Sequence, residues 1–489
     1  MASAERLEGH DVYDYKLGKV IAASSAGTTI EWYDFYIFAS LFAILSEKFF
    51  PPGNDALRLL GIFALIYVGF LVRPFGAFFF GRIGDLIGRK YTFMITITIM
   101  GLATFAIGFL PTYETAGVIT PIILVVLRCL QGLALGGEYG GAAIYVAEHA
   151  PDDKRGHYTS YIQMTATIGL VLALLVVVGT GEILGEERFS DWGWRVPFLL
   201  SGALVALALY IRLSLRETPL YTKIKEAKQQ SVTPIRHAME EGGWKRMLLI
   251  LLGATAGQAV VWYTSQFYAL VFMQTELGIS VIASSFIVGA ALLLGTPFFL
   301  VFGKLSDRVG RKPIILLGCV LAAITYVPLY AAMNAFSDLT NEINYLFLVG
   351  LVFIQMIYVT MVYGPIAAYL VELFPARVRY TSLSVPYHFG NGWFGGGVPL
   401  IATFLVQRLG SENSVDYWSL MYPIGIATMT AVIGFLMLKE THHIRIWDEV
   451  SGEAAPATAD RPAVVDVTDN DADLRDERAA ERSNRTRAR

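Results

Sequence analysis

The sequence predicts an all-α membrane protein of twelve transmembrane helices, arranged as two pseudo-symmetric six-helix halves. Three observations predict it. The 489 residues are 55% hydrophobic and only 16% charged, where a soluble chain carries about a quarter charged residues. With a mean hydropathy of +0.52, so little polar surface cannot clothe several soluble cores. The chain also offers about twelve apolar runs of the roughly 20 residues that a bilayer-crossing helix needs. Finally, motifs of the first half recur in the second at a nearly constant spacing. The same composition excludes a disordered chain, and a net charge of −3 without a basic face excludes nucleic acid as a partner. The two cysteines, Cys129 and Cys319, lie in apolar segments and form neither a disulfide framework nor a metal-ligand spacing. Residues 1–16 mix Glu5, Arg6, Glu8, Asp11, Asp14 and Lys16, which is no cleavable signal peptide.

The runs fall near 17–45, 59–80, 91–110, 121–147, 158–184, 196–213, 247–273, 279–302, 313–333, 343–371, 380–407 and 417–438. Several contain Gly or Pro, which membrane helices tolerate because neighbouring helices re-satisfy the freed backbone groups. The chain therefore divides into an N-terminus 1–16, a first half 17–213, a central linker 214–246, a second half 247–441 and a tail 442–489. The tail is rich in Ala, Asp, Arg and Pro without apolar heptads, so disorder is expected there. Loops after the even-numbered spans hold Arg82, Arg89, Lys90, Lys154, Arg155, Lys304, Arg308, Arg311 and Lys312, among others; the opposite loops hold only Lys48, Arg58, Arg188, Arg195 and Arg408. Cytoplasmic loops carry the excess of Lys and Arg, so that face and both termini are expected in the cytoplasm.

The repeat is read by laying the sequence on itself. GRIGDLIGRK at 81–90 recurs as GKLSDRVGRK at 303–312, an offset of 222 residues. Glu148, Pro151 and Arg155 recur as Glu372, Pro375 and Arg379 at an offset of 224, and LRET at 215–218 recurs as LKET at 438–441 at 223. Even AGTTIEWYDFY at 26–36 is echoed by AGQAVVWYTSQ at 256–266. Two parallel six-helix halves place a binding site between them, as transporters of this construction do.

The G-x-x-x-D-x-x-G-R-K loop after spans 2 and 8, with twelve helices and a long central loop, resembles the major facilitator superfamily. EWYDF at 31–35, RCLQGLALGGEYGG at 128–141 and the Arg216-Glu217-Thr218-Pro219 stretch resemble the metabolite:proton symporter family, whose permeases take α-ketoglutarate, citrate, shikimate or proline and betaine. The resemblance covers about residues 17–445. It implies the major facilitator fold, and it implies that Asp85, Arg89, Asp307 and Arg311, joined by Glu148, Arg155, Glu372 and Arg379, form a gate. The glycines of 132–141 lack the Lys-Ser/Thr of a phosphate loop and read as close helix packing.

Charges appear where the repeat lacks them. Arg128 faces Val352, Glu138 faces Val362, Glu31 faces Val261, Asp34 faces Thr264 and Arg73 faces Gly295. Each charge at a helix centre costs about 2.5–3.5 kcal/mol on insertion scales, so these five must be paired or hydrated. Counting depth at about 1.5 Å per residue, Asp34 and Arg128 lie outward of centre, and Arg73 and Glu138 lie inward. The expected pairs are therefore Asp34–Arg128 and Arg73–Glu138, with Glu31 one turn from Asp34 on the same face. Three carboxylates for two arginines leave a surplus acid, and a carboxylate that takes a proton frees its arginine for a substrate anion. The proton-coupling candidates are Asp34, Glu31 and Glu138. Asp34 stands first, because related sugar porters keep a Tyr-Asp pair opposite a span-4 arginine.

The substrate candidates are Arg128 and Arg73 for a carboxylate, with Gln131, Tyr139, Gln258, Trp262, Tyr263, Gln266, Gln355, Tyr363, His388 and Asn391. Uncharged amides and aromatics suit neutral or cationic parts of a ligand. The resulting expectation is a proton-coupled symporter importing a small carboxylate-bearing metabolite by alternating access. It would be a monomer embedded in the lipid bilayer of the inner or plasma membrane, with protons as coupling ion and no cofactor or metal. Paired arginines, and a tail without the coiled coil of proline/betaine members, favour an organic acid; the stretch GQAVVWYTSQFYAL is similar to the proline/betaine type. An exporter or exchanger on the same fold, or a non-translocating receptor, are the rivals. No nucleophile-base set or cofactor loop marks an enzyme.

Overall fold

The computed structural model describes residues 17–53, 55–213, 222, 234–239, 243–337, 344–376, 378–409 and 417–446. Helix α1, Leu17–Ser40, carries Lys19, Glu31 and Asp34 within an apolar stretch. Among the described residues eleven further helices are long and apolar enough to cross a bilayer. They are α2 (Arg58–Ile87), α3 (Lys90–Ile107), α4 (Ile119–His149), α5 (Asp152–Leu184), α6 (Arg195–Leu213), α7 (Gly243–Thr275), α8 (Val281–Val309), α9 (Arg311–Ala335), α10 (Tyr345–Leu373), α11 (Arg379–Leu409) and α12 (Trp418–Met437). With α1 they make the twelve-helix major facilitator fold that the motifs implied. Several boundaries differ from the sequence reading: α1 ends at Ser40 and a separate short helix, Phe42–Phe49, takes the rest of the first apolar run, α2 and α8 run on to Ile87 and Val309 through the start of the repeat motifs, and α5 begins at Asp152. Large apolar side chains such as Phe75, Leu102, Ile183, Phe286 and Leu346 are exposed, a surface that only a lipid environment covers.

Within the first half α5 packs along α1, and α4 packs against both α2 and α3. In the second, α9 packs against α10 and α12, and α7 against α11 and α12. Between the halves α2 meets α11 and α5 meets α8, a pair of contacts that the sequence repeat exchanges. The α2–α4 contact is unusually close. A Cβ at Gly132 would strike the carbonyl of Gly69, and one at Gly136 would strike the carbonyl of Arg73. The glycine run of 132–141 is therefore a packing surface that sets α4 against α2. At the repeat loops Gly88 and Gly310 take φ of 113° and 103°, which only glycine adopts without strain. Helices α7 and α11 contain π-helical stretches at Leu251–Thr255, Thr264–Tyr268 and Gly390–Gly395, a form that concentrates at functional sites. Residues up to Ile446 form one compact unit. Of the tail expected at 442–489, residues 442–446 belong to this unit; the rest, with most of the linker including the Arg216–Pro219 stretch, lies outside the described residues.

Candidate functional site

The residues named for a gate meet on the face that carries the two repeat loops. Each loop aspartate reaches the first turn of a helix in the other half, where free backbone N–H groups favour an anion. Asp85 accepts from the Thr381 N–H at 3.1 Å and its hydroxyl at 2.8 Å, at the start of α11. Asp307 accepts from the Gly156 and His157 N–H groups at 2.8 and 2.9 Å, at the start of α5. The glutamates cross in the same reciprocal way. Glu148 pairs with Arg379 at 3.4 Å, and Glu372 pairs with Arg155 at 2.9 Å. Arg311 binds both Asp307 (2.7 Å) and Glu372 (3.0 Å). The side chain of Arg89 lies outside the described residues.

The segment after α12 is joined to this cluster. Thr441 donates to Glu372 at 2.6 Å, and Arg155 donates to the Ile444 carbonyl at 3.1 Å. Glu440 accepts from the N–H groups of Arg311 and Lys312 at 2.8 and 2.9 Å, capping α9. Burial by itself would raise the Glu440 pKa. Hydrogen bonds from the N–H groups of Arg311, Thr441, Lys312 and His442 outweigh it and hold the carboxyl below its ordinary value.

Deeper in the bundle the charges pair differently from the sequence expectation. Glu138 does not meet Arg73, and Asp34 does not meet Arg128: neither arginine has a carboxylate within 4.0 Å among the described residues. Glu31 and Glu138 instead share one guanidinium nitrogen of Arg212, at 2.9 and 3.2 Å. All three side chains are buried. Depth along a helix fixes neither the rotation of its side chains nor which neighbour they face, which is why the depth argument mispaired them. It also overlooked Arg212, which stands one residue from the end of α6 and reads as a loop cation. The repeat holds the missing signal: its counterpart is Phe435, 73% exposed. Among the described residues this deeper layer thus holds three arginines for three carboxylates, not two for three.

Asp34 is buried with neither carboxylate oxygen hydrogen-bonded, and it faces the Ser201 hydroxyl of α6. Arg128 donates to Gln131 at 2.7 Å, while the Gln131 amide donates to Thr104 of α3 at 2.7 Å. Its guanidinium stacks on Phe35 and Phe38, at 4.7 and 4.4 Å. Arg73 turns to the other half. Its Nη1 donates to the Tyr263 hydroxyl at 3.3 Å, and its Nε and Nη2 have no hydrogen-bond partner.

Around Arg73 both halves contribute aromatic rings. Trp32 and Tyr36 of α1 lie 6.5 and 5.6 Å from Trp262 of α7, and Phe70 lies edge-on to Tyr263 at 5.1 Å. Phe267 and Tyr363 complete the cluster against Trp262, at 5.9 and 6.3 Å. Beside it Tyr139 stacks on Tyr387 across the interface at 3.5 Å, with His388 edge-on to Tyr387. The ring nitrogens of His388, the indole N–H of Trp262 and both ends of the Gln266 amide are buried without partners. Gln258 and Asn391 bond each other, at 3.2 and 3.4 Å, and Gln355 faces Met333 inside the second half. Of the expected ligand set, Arg73, Tyr139, Trp262, Tyr263, Tyr363 and His388 converge on the interface. Gln131 instead serves Arg128. Tyr36, Phe70 and Phe267 were missed, because a lone aromatic in an apolar span carries no signal of which way it faces.

Two helical halves joined by mirrored ion pairs, with a buried aromatic cluster at their interface, have the construction of a secondary transporter. The family described as sugar (and other) transporter matches residues 19–448, and the chain belongs to it. It is 34% identical over 442 residues to the proline/betaine transporter of Escherichia coli K12, covering 88% of this chain and 84% of the relative. It is 33% identical over 426 residues to the alpha-ketoglutarate permease of the same strain, covering 86% and 93%. The structure of the xylose transporter XylE from E. coli in a partially occluded inward-open conformation aligns with a TM-score of 0.67 at 16% identity. That alignment spans 87% of this chain and 98% of the other, and shows the fold. The protein is a multi-pass membrane transporter and not an enzyme, as the sequence indicated.

Proposed function

We propose that the chain imports a small zwitterion bearing one carboxylate, of the betaine or proline kind, in symport with protons. Arg73 carries this reading: a buried guanidinium without a carboxylate partner among the described residues, opening on aromatic rings from both halves. Arg73 takes the carboxylate, and the faces of Trp262, Tyr36 and Tyr263 attract the cationic end. Arg128 touches this cluster through Phe35 and is otherwise held by Gln131. An organic acid is the second reading, favoured by the Nε and Nη2 of Arg128, which lack partners and suit a further carboxylate. The relatives named for proline/betaine and for alpha-ketoglutarate support one class each. Protons enter through the buried acids Asp34, Glu31 and Glu138, and no cofactor takes part. The excess of Lys and Arg in the loops after the even-numbered helices supports both termini on the cytoplasmic side and the paired face forming the inner gate; a relative named as an inner membrane metabolite transport protein supports an inner-membrane location.

The test is solute-induced proton movement in vesicles holding the full chain, with mono-, di- and tricarboxylates, proline and glycine betaine. Alkalinisation of the outer medium by glycine betaine or proline, lost in Asp34→Asn, is expected. A response to di- or tricarboxylates alone selects the organic acid, acidification selects an exporter, and no response to any compound removes proton symport.

A further inference from the structure

We infer that Arg212, Glu31 and Glu138 form a site for a single shared proton, with Arg212 as the positioning residue that makes the count one. The inference rests on the proton-coupled reading above and names where the proton sits. One guanidinium and two carboxylates in a dry site sum to one negative charge, and binding one proton brings the site to neutrality. An isolated charge in hydrocarbon is expensive, so the one-proton state is the stable form. The only bond made or broken is one O–H.

The geometry distinguishes the two acids. Glu31 sits closer to the shared nitrogen, at 2.9 Å against 3.2 Å for Glu138. The second oxygen of Glu138 has no hydrogen-bond partner, and neighbouring Thr28 commits its hydroxyl to the Ser24 carbonyl at 3.0 Å. Glu138 is therefore the less tightly held acid and the carrier of the proton. Gly27 makes the arrangement feasible, since a Cβ there would press on the Arg212 guanidinium at 2.8 Å. From α3 the Phe93 ring lies 4.4 Å from the guanidinium carbon, and Lys90 donates to the carbonyl of Leu213, next to Arg212, at 3.1 Å. Asp34 lies one turn along α1, Tyr139 follows Glu138 on α4, and Tyr380 approaches from α11.

Tyr380 links the site to the start of α11. Its hydroxyl donates to the Gly137 carbonyl, next to Glu138, and its ring lies 2.6 Å from where a Cβ on Gly84 would stand. The following residue, Thr381, is the one that Asp85 holds. A change of charge at Glu138 thus acts on the start of α11 through a single side chain.

The test is infrared titration of the purified full chain in lipid nanodiscs, on an Asp34→Asn background so that the other unpaired acid is silent. The readout is the carboxylic-acid C=O band, identified by its shift in heavy water. One such band is expected near neutral pH. It should disappear in Glu31→Gln and also in Glu138→Gln, because the remaining carboxylate then pairs with Arg212 alone, and it should grow in Arg212→Met. The glutamine variants remove a charge instead of stranding one, and either alone decides the matter if the other fails to fold. A band that survives in them, or no band in the parent at any pH where it stays folded, overturns the inference. Failure of the symport reading is separate: wild type would then show no solute-induced proton movement, whatever the band does.

Discussion

Replacing Glu372 by Gln tests whether the ion pairs of the loop face hold the transporter shut. Glu372 accepts from Arg155 (2.9 Å), from Arg311 (3.0 and 3.4 Å) and from Thr441 (2.6 Å), and it is fully buried. Removing one partner of a buried pair costs about 3–5 kcal/mol because the remaining charge is stranded. Gln keeps the shape and one acceptor, so the lower end, about 3 kcal/mol, is the appropriate figure. In an open state Glu372 faces water and the substitution costs little there. The ratio of closed to open molecules should therefore fall by roughly 100-fold, at about 1.4 kcal/mol per decade. Spin labels at the exposed positions 154 and 304, on the ends of α5 and α8 that Asp307 joins, read this ratio as a distance distribution. The labels require Cys129→Ser and Cys319→Ser. A longer distance should dominate in Glu372→Gln. An unchanged distribution would refute the claim that these pairs hold the closed state.

Arg73→Lys should raise the KM for glycine betaine by roughly 10- to 100-fold, since a charge-assisted hydrogen bond is worth about 1.5–3 kcal/mol and the planar fork is lost; initial uptake rates check it. Gly136→Ala drives a Cβ into the Arg73 carbonyl and should lower stability by about 1–3 kcal/mol, whereas Gly350→Ala, with nothing within 4 Å, should stabilise by about 0.5–1 kcal/mol; thermal unfolding of the purified protein separates the two. Glu440 has a depressed pKa in the folded state, so its stabilisation is full above the ordinary glutamate value and is lost as pH falls through the depressed one. The difference in unfolding temperature between wild type and Glu440→Gln should stay constant above that range and close only in the acid below it.

What the sequence could carry depended on the repeat. Asp85 and Asp307, Glu148 and Glu372, and Arg155 and Arg379 stand in register in the two halves, which made them legible as landmarks; that they act together came only from the family resemblance, and which glutamate meets which arginine was not legible. The unmatched charges were legible as exceptions: Arg73, Arg128, Glu31, Asp34 and Glu138 have apolar or neutral counterparts. Their pairing was not. It depends on how each helix is rotated about its axis, and Arg212 shows the consequence, since a cation at a helix end looks alike whether it snorkels outward or turns into the bundle. Trp262 and Tyr263 were found because they echo Trp32 and Tyr33; Phe267 and Phe70 echo nothing.

The contrast between the two layers bears on coupling. The contacts between the halves are written twice: Asp85 holds α11 as Asp307 holds α5, and Glu148–Arg379 mirrors Glu372–Arg155. The repeat supplies such contacts on both sides of the interface and by itself marks neither side as the one to open first. The buried acids occur once, in the first half, and their triad lies behind only one lock, with Tyr380 between Glu138 and the Asp85–Thr381 contact. On the proposed reading, a proton on Glu138 therefore biases one of the two latches. Reciprocity then requires the converse: opening or closing that latch changes the affinity for the proton by the same factor. If Tyr380→Phe, which removes the hydroxyl bond to Gly137 and keeps the ring, leaves the pH dependence of the 154–304 distance unchanged, the connection does not run through this side chain.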